Sequence, residues 1–380
     1  MPKILFLTAY PEEDASCRYR VNQFLPYLEQ AGYRCTVAPF ASKSLFRSLK
    51  ARGGLTTKVT GVLRCSARRF STLRDVDSYD IVVIHREAFP FFAPLVENLV
   101  LRRAKRSKRR TQVVFSFDDA IYAGHEDVSS LSHPWLYRWK HGRGYGEVIR
   151  GCDHVIAGNR LLAEYAGGLN ASVTVIPTVV DCDRYQVPPA KCEARPVTIG
   201  WMGSPTTAPY LRIVESALRH IASKHGGKVQ FRFVGCPEYW IDIQDFTSVP
   251  FLMQTEVEEL RNFDIGLMPL TDTSWSRGKC AFKAIQYMAS GVATVASPVG
   301  ITPDLIHDGV NGFLVESHDA WFRALDQLVS DASLRLRIAR EARTSIEAGY
   351  SLEVWAPRMV ALFDQLSGRK SILEQDTIAA

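Results

Sequence analysis

No stretch of this sequence reaches about 18 consecutive apolar residues, the length a membrane-crossing helix needs. The opening Met-Pro-Lys-Ile-Leu-Phe-Leu-Thr is too short an apolar block, and too soon followed by acids, to read as a signal peptide, so a cytoplasmic protein is expected. C-x-x-C pairs are missing as well. The eight cysteines, at 17, 35, 65, 152, 182, 192, 236 and 280, are scattered without histidine spacing suited to zinc, which points to free thiols in a reducing compartment. Nothing is low-complexity, and no period of solenoid length is visible.

Acidic residues are what the N-terminal half has least of. Residues 41–74 hold nine Lys and Arg and no Asp or Glu, and 102–110 hold seven basic residues in nine positions. Over 1–190 there are 27 basic against 18 acidic residues, over the remainder 19 against 22. Such clusters attract a polyanion or an anionic membrane surface, and the plain alternative is a set of solvated helix faces. The basic residues lack interleaved aromatics and match no recognition motif, so no nucleic-acid partner is expected.

At 380 residues and 46% hydrophobic content the chain can bury two cores. Apolar strand-like runs at 3–8, 35–40, 80–85, 111–117, 153–157 and 173–177 alternate with amphipathic stretches such as 19–30. "VPPAKCEARP" (187–196) interrupts the pattern like a linker. Strands then restart at 197–202, 229–235, 263–270 and 292–297, with helices at 210–224 and 256–262. This alternation predicts two doubly wound α/β domains, residues 1–188 and 189–350, with a C-terminal helix about 351–380 packing back on the first. Ligands of such sheets bind at the carboxyl ends of the strands, so a cleft faces both.

Several residues carry chemistry. In "RGKCAFKAIQYMASGVATVAS" (277–297), Lys279, Lys283 and Gln286 stand at i, i+4 and i+7 and share one helical face, while Phe282, Ile285 and Ala289 share another. The loop with Gly203, Ser204, Thr206 and Thr207 is small and polar enough to let a phosphate or sugar approach the backbone. His85 ends one strand, and strand alternation sets Glu87 on its side. Asp118 and Asp119 end another; alternation points them to opposite faces, which argues against a shared metal ion and leaves one to orient or deprotonate a hydroxyl. Arg18 and Arg20 follow the first strand and suit forked phosphate recognition, though either can instead pair with Glu12, Glu13 or Asp14.

Five stretches in this order, "YDIVVIHREAFP" (79–90), "CDHVIAGNRLLAEY" (152–165), "VTVIPTVVDCDRY" (173–185), "FDIGLMPL" (263–270) and "ASGVATVASPVGITPDLIHDGVNGFLV" (289–315), resemble the bacterial family-4 retaining glycosyltransferases over nearly the whole chain. The resemblance implies the GT-B fold, two Rossmann-like domains facing a central cleft. It also implies retaining transfer of a sugar from a nucleotide diphosphate sugar to a glycan, lipid-linked or small-molecule acceptor, with no cofactor and no metal. Donor binding falls to the C-terminal domain and acceptor binding to the N-terminal one. Polysaccharide biosynthesis and a peripheral position at the inner face of a membrane are the expected setting.

The family's two glutamates fall here on Gly278 and Gln286, so both carboxylates are missing. Gln286 keeps a ribose hydrogen bond within reach, and the sugar contact passes to Asp272 or to backbone after Lys279. The loop after the first strand of the second domain lacks the family's cations, so Lys279 and Lys283, on the first turn of the facing helix, are expected to hold the diphosphate. Cys280 shares that donor-binding stretch without chemistry of its own, and Phe251 is placed at the base. His85 corresponds to a histidine beside the transferred sugar. The missing glutamates keep a nucleotide-sugar epimerase or a phosphorylase on the GT-B fold as an alternative, and the basic N-terminal half leaves a nucleic-acid-binding protein as the remoter one.

Overall fold

Of the 380 residues, the computed structural model describes 1–50, 53–91, 94–123, 144–187 and 195–369. The chain divides into one unit of Met1–Thr178 with Trp355–Ala380, and a second of Val179–Val354.

In the first unit the apolar runs become parallel strands β1 (Lys3–Thr8), β2 (Arg34–Pro39), β3 (Ile81–His85), β4 (Gln112–Phe117), β5 (His154–Ala157) and β6 (Val173–Val175), ordered β2-β1-β3-β4-β5-β6. Ile4, Leu5, Ile81, Val82, Val113 and Val114 are buried as the middle of a sheet covered on both faces requires. The chain runs outward from β1 to β2, then returns to lay β3 on the other side of β1. That reversal makes the β1/β3 boundary the topological switch point. Register sets Thr8 beside His85 and His85 beside Ser116 at the carboxyl edge.

The second unit carries β7 (Val197–Met202), β8 (Val229–Val234), β9 (Phe246–Val249), β10 (Ile265–Met268), β11 (Ala293–Ala296) and β12 (Phe313–Leu314), all parallel in the order β12-β11-β10-β7-β8-β9. Its switch point lies between β7 and β10. Trp201, Phe231, Leu267 and Trp321 anchor its core. The pattern at 19–30 is not one helix: Ala15–Arg20 and Leu25–Gln30 are separate, with a tighter turn Asn22–Phe24 between them. Val21, at φ −125°, breaks the run.

The units divide at Thr178/Val179, earlier than the 188/189 read from the proline-bearing stretch, of which 188–194 lie outside the described residues. Residues 180–187 belong to the second unit because it holds their backbone. Val180 N–H donates to Tyr350 O at 3.1 Å and Leu352 N–H to Val180 O at 2.8 Å. Arg343 donates to the carbonyls of Cys182 and Tyr185. The helix Leu352–Leu366 passes from one unit to the other at Trp355, so Phe363 packs edge-on against Phe6 and Tyr33 in the first. There the Tyr33 hydroxyl donates to the buried Asp364 carboxylate at 2.7 Å. No helix of the described residues is long and apolar enough to cross a membrane.

Candidate functional site

At the switch point of the first unit, the turn after β1 ends in a short helix, Ala15–Arg20, capped by Asp14, whose Oδ2 accepts from the N–H groups of Ser16 and Cys17 at 3.1 and 3.3 Å. The cap fixes Ser16 against the ends of β3 and β4. The Ser16 hydroxyl donates to Asp118 Oδ2 at 2.7 Å and lies 2.8 Å from His85 Nε2. His85 is only 3% exposed, and its Nδ1 is buried with no hydrogen-bond partner among the described residues. Burial, opposed mainly by Asp118, pushes the imidazole pKa down to about 3, so His85 is neutral at physiological pH.

Next to it β3 ends abruptly, because Arg86 adopts a left-handed conformation at φ 59° while its N–H donates to Ser116 O at 2.7 Å. Arg86 Nη1 lies 3.0 Å from Asp119 Oδ2 and 3.7 Å from Asp118 Oδ1. The two carboxylates therefore do not point to opposite faces. β4 stops at Phe117, strand alternation no longer governs the residues beyond it, and one guanidinium serves both. The same break at Arg86 removes the alternation argument for Glu87, which is buried. Burial works to raise the Asp118 pKa, but Arg86, Arg20 and the Ser16 hydrogen bond act against it, and the carboxyl is held below its ordinary range. Arg20 is buried and donates to Ile176 O at 2.5 Å, while the Arg18 guanidinium sits 4.8 Å over the Tyr19 ring. Glu12 and Glu13 pair with Lys43, and Glu13 also with Arg47.

In the second unit, β7 runs into the 203–207 turn, which closes on itself: Thr207 Oγ1 accepts from Ser204 N–H at 3.1 Å, and the hydroxyls of Ser204 and Thr206 meet at 2.8 Å. Gly235, at φ 103°, crosses this turn so closely that a Cβ there would stand 1.9 Å from Gly203 O and 3.5 Å from Phe251 Cβ. Across the switch point, β10 leads to the short helix Ser274–Arg277 and then to the helix Phe282–Ala289. Met202 N–H donates to Tyr287 Oη at 2.9 Å and ties the two halves together.

The longer of these helices starts at Ala281, held left-handed at φ 50° with no side chain capping the first turn. Lys283 lies in that turn, but Lys279 stands before the helix, so it does not share a helical face with Lys283 and Gln286. Instead its ammonium lies 5.3 Å from the centre of the Trp275 ring. Arg277 holds Asp272 through a fork, Nε to Oδ1 at 2.6 Å and Nη2 to Oδ2 at 2.8 Å, which pulls the Asp272 pKa down. Both carboxylate oxygens of the expected sugar ligand are thus engaged with Arg277. Cys280 is buried. Gln286, also buried, donates both amide hydrogens, to Tyr185 Oη at 2.9 Å and Glu256 Oε1 at 3.0 Å, and its carbonyl is what remains for a ligand. Arg184 completes that cluster at 3.2 Å from Glu256 Oε2.

Residues 196–331 match the family described as glycosyl transferases group 1. The D-inositol 3-phosphate glycosyltransferase of Xylanimonas cellulosilytica is 25% identical over 262 residues, 60% of this chain and 61% of that protein. The chain thus spans less than two thirds of that relative's length. Among solved structures, Anabaena Alr3699/HepE in complex with UDP and glucose superposes with a TM-score of 0.68 at 15% identity, covering 96% of this chain and 100% of the other. The sucrose-phosphate synthase of Thermosynechococcus elongatus gives 0.65 at 14% identity, over 96% and 99%. The fold is GT-B.

Within this GT-B chain the structure brings His85, Asp118 and Asp119 into one cluster in the first unit, and brings Gly203, Ser204, Thr206 and Phe251 to one turn in the second. Ser16, Arg86, Arg277, Glu256 and Gly235 escaped sequence reading. Asp14 ahead of a short helix was a local signal for the first. Arg277 stood in the quoted stretch beside the lysines. Glu256 and Gly235 act through neighbours distant in sequence and left none.

The basic region also changes character. Arg69 is buried and donates to Thr8 O at 2.8 Å, and Leu45 and Phe46 are core residues. What the helix Leu55–Leu73 exposes is a stripe of Leu55, Val59, Leu63 and Phe70, within about 80° of arc. Arg103 bonds Arg74 O at 2.8 Å and pairs with Asp77, linking this helix to the basic segment 102–110. Residues 51–52 of the stretch lie outside the described residues.

Proposed function

We propose that this protein is a metal-independent, retaining glycosyltransferase that takes its sugar from a nucleotide diphosphate donor. The observation that carries this reading is the switch point of the second unit. A self-closed turn of glycine and hydroxyl residues faces a helix start that has no side-chain cap and is flanked by Arg277, Lys279 and Lys283. Backbone N–H groups at such a start carry partial positive charge and suit a diphosphate. UDP-sugars are the first donors to try, since the Anabaena neighbour was solved with UDP. In the first unit, a neutral His85 beside Asp118 and Asp119 reads hydroxyls of the reacting pair. In this reading the leaving diphosphate itself takes the acceptor's proton while the cations stabilise its charge. Incubation with a panel of UDP-, GDP- and dTDP-sugars should release the nucleoside diphosphate from at least one. Release from none would reject the proposal.

An acceptor carried on an anionic lipid surface is favoured by the stripe on Leu55–Leu73, where Leu55 is 75% and Leu63 64% exposed, together with the basic segment 102–110 that Arg103 links to this helix. Each cation near an anionic leaflet contributes about 1 kcal/mol, so several would give reversible attachment. Cosedimentation should show binding to anionic liposomes at low salt and release at high salt. Equal, negligible binding to anionic and neutral vesicles would leave a small or soluble acceptor.

A further inference from the structure

We infer that Ser16 is a positioning residue, whose hydroxyl, spent on Asp118, locks His85 in the tautomer with hydrogen on Nε2 and so presents Nδ1 as a bare acceptor for a sugar or acceptor hydroxyl. The inference deepens the proposed transfer and rests on it only for the identity of that hydroxyl.

The direction of the chain follows from counting protons. A serine hydroxyl has one hydrogen. Asp118 Oδ2 at 2.7 Å needs it, because two oxygens at that distance with no hydrogen between them repel. Asp118 brings no proton of its own: Arg86 lies 3.7 Å from its other oxygen, and Arg20 adds positive charge nearby. With that hydrogen committed, the 2.8 Å contact to His85 Nε2 is a hydrogen bond only if the ring nitrogen donates. A doubly protonated ring would also donate there, but burial opposes the charge more strongly than Asp118 and the nearby Ser116 carbonyl favour it. The neutral ring with hydrogen on Nε2 remains.

The consequence lies at the other nitrogen. Nδ1 is fully buried, carries a lone pair and has no hydrogen-bond partner among the described residues. Buried polar atoms are rarely left so, and the exceptions mark places where a ligand completes the bonding. The group that completes this one must be a donor, and a hydroxyl is the donor that sugars provide. Ser16 does not touch that hydroxyl. It acts through His85, and Asp14 acts in turn on Ser16 by fixing the start of its helix.

The test begins with the tautomer. In uniformly 15N-labelled protein, two-bond proton–nitrogen correlation should show His85 with a pyrrole-type Nε2 and a pyridine-type Nδ1, the resonance being assigned by its loss in H85Q. Ser16→Ala should lose that fixed pattern, and Ser16→Thr, which keeps the hydroxyl, should restore it. With the donor that proves active, Ser16→Ala should lower kcat about tenfold or more with the donor KM nearly unchanged, and Ser16→Thr should recover most of it. A wild-type His85 with hydrogen on Nδ1, or an unaltered tautomer in Ser16→Ala, would overturn the inference. The fixed tautomer without turnover of any nucleotide sugar would uphold the positioning by Ser16 and reject the proposed transfer instead.

Discussion

Replacing Lys279 and Lys283 together by alanine is expected to weaken nucleoside diphosphate binding by about 10²-fold or more, while each single change costs about 1–3 kcal/mol. Residues 203–207 contain hydroxyls and no cation, and those hydroxyls are partly occupied with one another. A diphosphate there needs charge from the facing segment, where Lys279 is oriented by Trp275 and Lys283 sits in the uncapped first turn. Arg277 is exposed and paired with Asp272, and an exposed ion pair contributes little to stability, so it too can be spent on a phosphate. Calorimetric titration with UDP and UMP checks this: the double variant should lose the preference for the diphosphate and keep most of its affinity for the monophosphate. Wild-type affinity in the double variant would reduce both lysines to solvated side chains.

His85→Gln is expected to lower kcat by about 10²–10⁴-fold with a much smaller change in donor KM, because the proposed function sets the ring next to the reacting atoms and away from the nucleotide. The same variant has a second signature, in stability. The folded pKa of His85 is depressed to about 3 from an ordinary 6.5, so between those values the unfolded chain binds a proton that the native one does not. Stability contributed by the neutral ring is therefore present above pH 6.5 and is lost as pH falls toward 3, at up to about 1.4 kcal/mol per pH unit. Glu97, buried and raised to about 7 from 4.5, has the opposite slope, losing stability as pH rises from 4.5 through 7, but it is common to both proteins and cancels in the comparison. Urea midpoints from pH 7 down to 4.5 should fall more steeply for wild type than for His85→Gln. Parallel curves would mean that the ring is not held neutral.

The switch points explain how much of this was legible in the sequence. Strands such as β1 and β3 are buried on both faces, so "ILFL" and "IVVI" appear as unbroken apolar runs whatever surrounds them. β9 and β12 escape the pattern because their burial is partial: Phe246 is the one buried residue of "FTSV", and β12 is two half-buried residues at a sheet edge. Candidate residues at strand ends, His85, Asp118 and Asp119, could be named because strand ends are visible in the pattern. Their partners could not. The link from Ser16 to Asp118 spans 102 positions and that from Gln286 to Tyr185 spans 101, and periodicity carries no information at such separations. Alternation failed where the strand itself ended, at Arg86 and after Phe117. Helical spacing failed at Lys279 because the helix begins only at Phe282.

The central claim is transfer of a sugar from a nucleotide diphosphate donor with retained configuration and without metal. It is tested most directly by running the donor that the panel selects, in EDTA, and reading the anomeric configuration of the first-formed product by NMR. The account predicts undiminished turnover and the same anomeric configuration as in the donor. An inverted product, or activity abolished by EDTA and restored by a divalent cation, would contradict it.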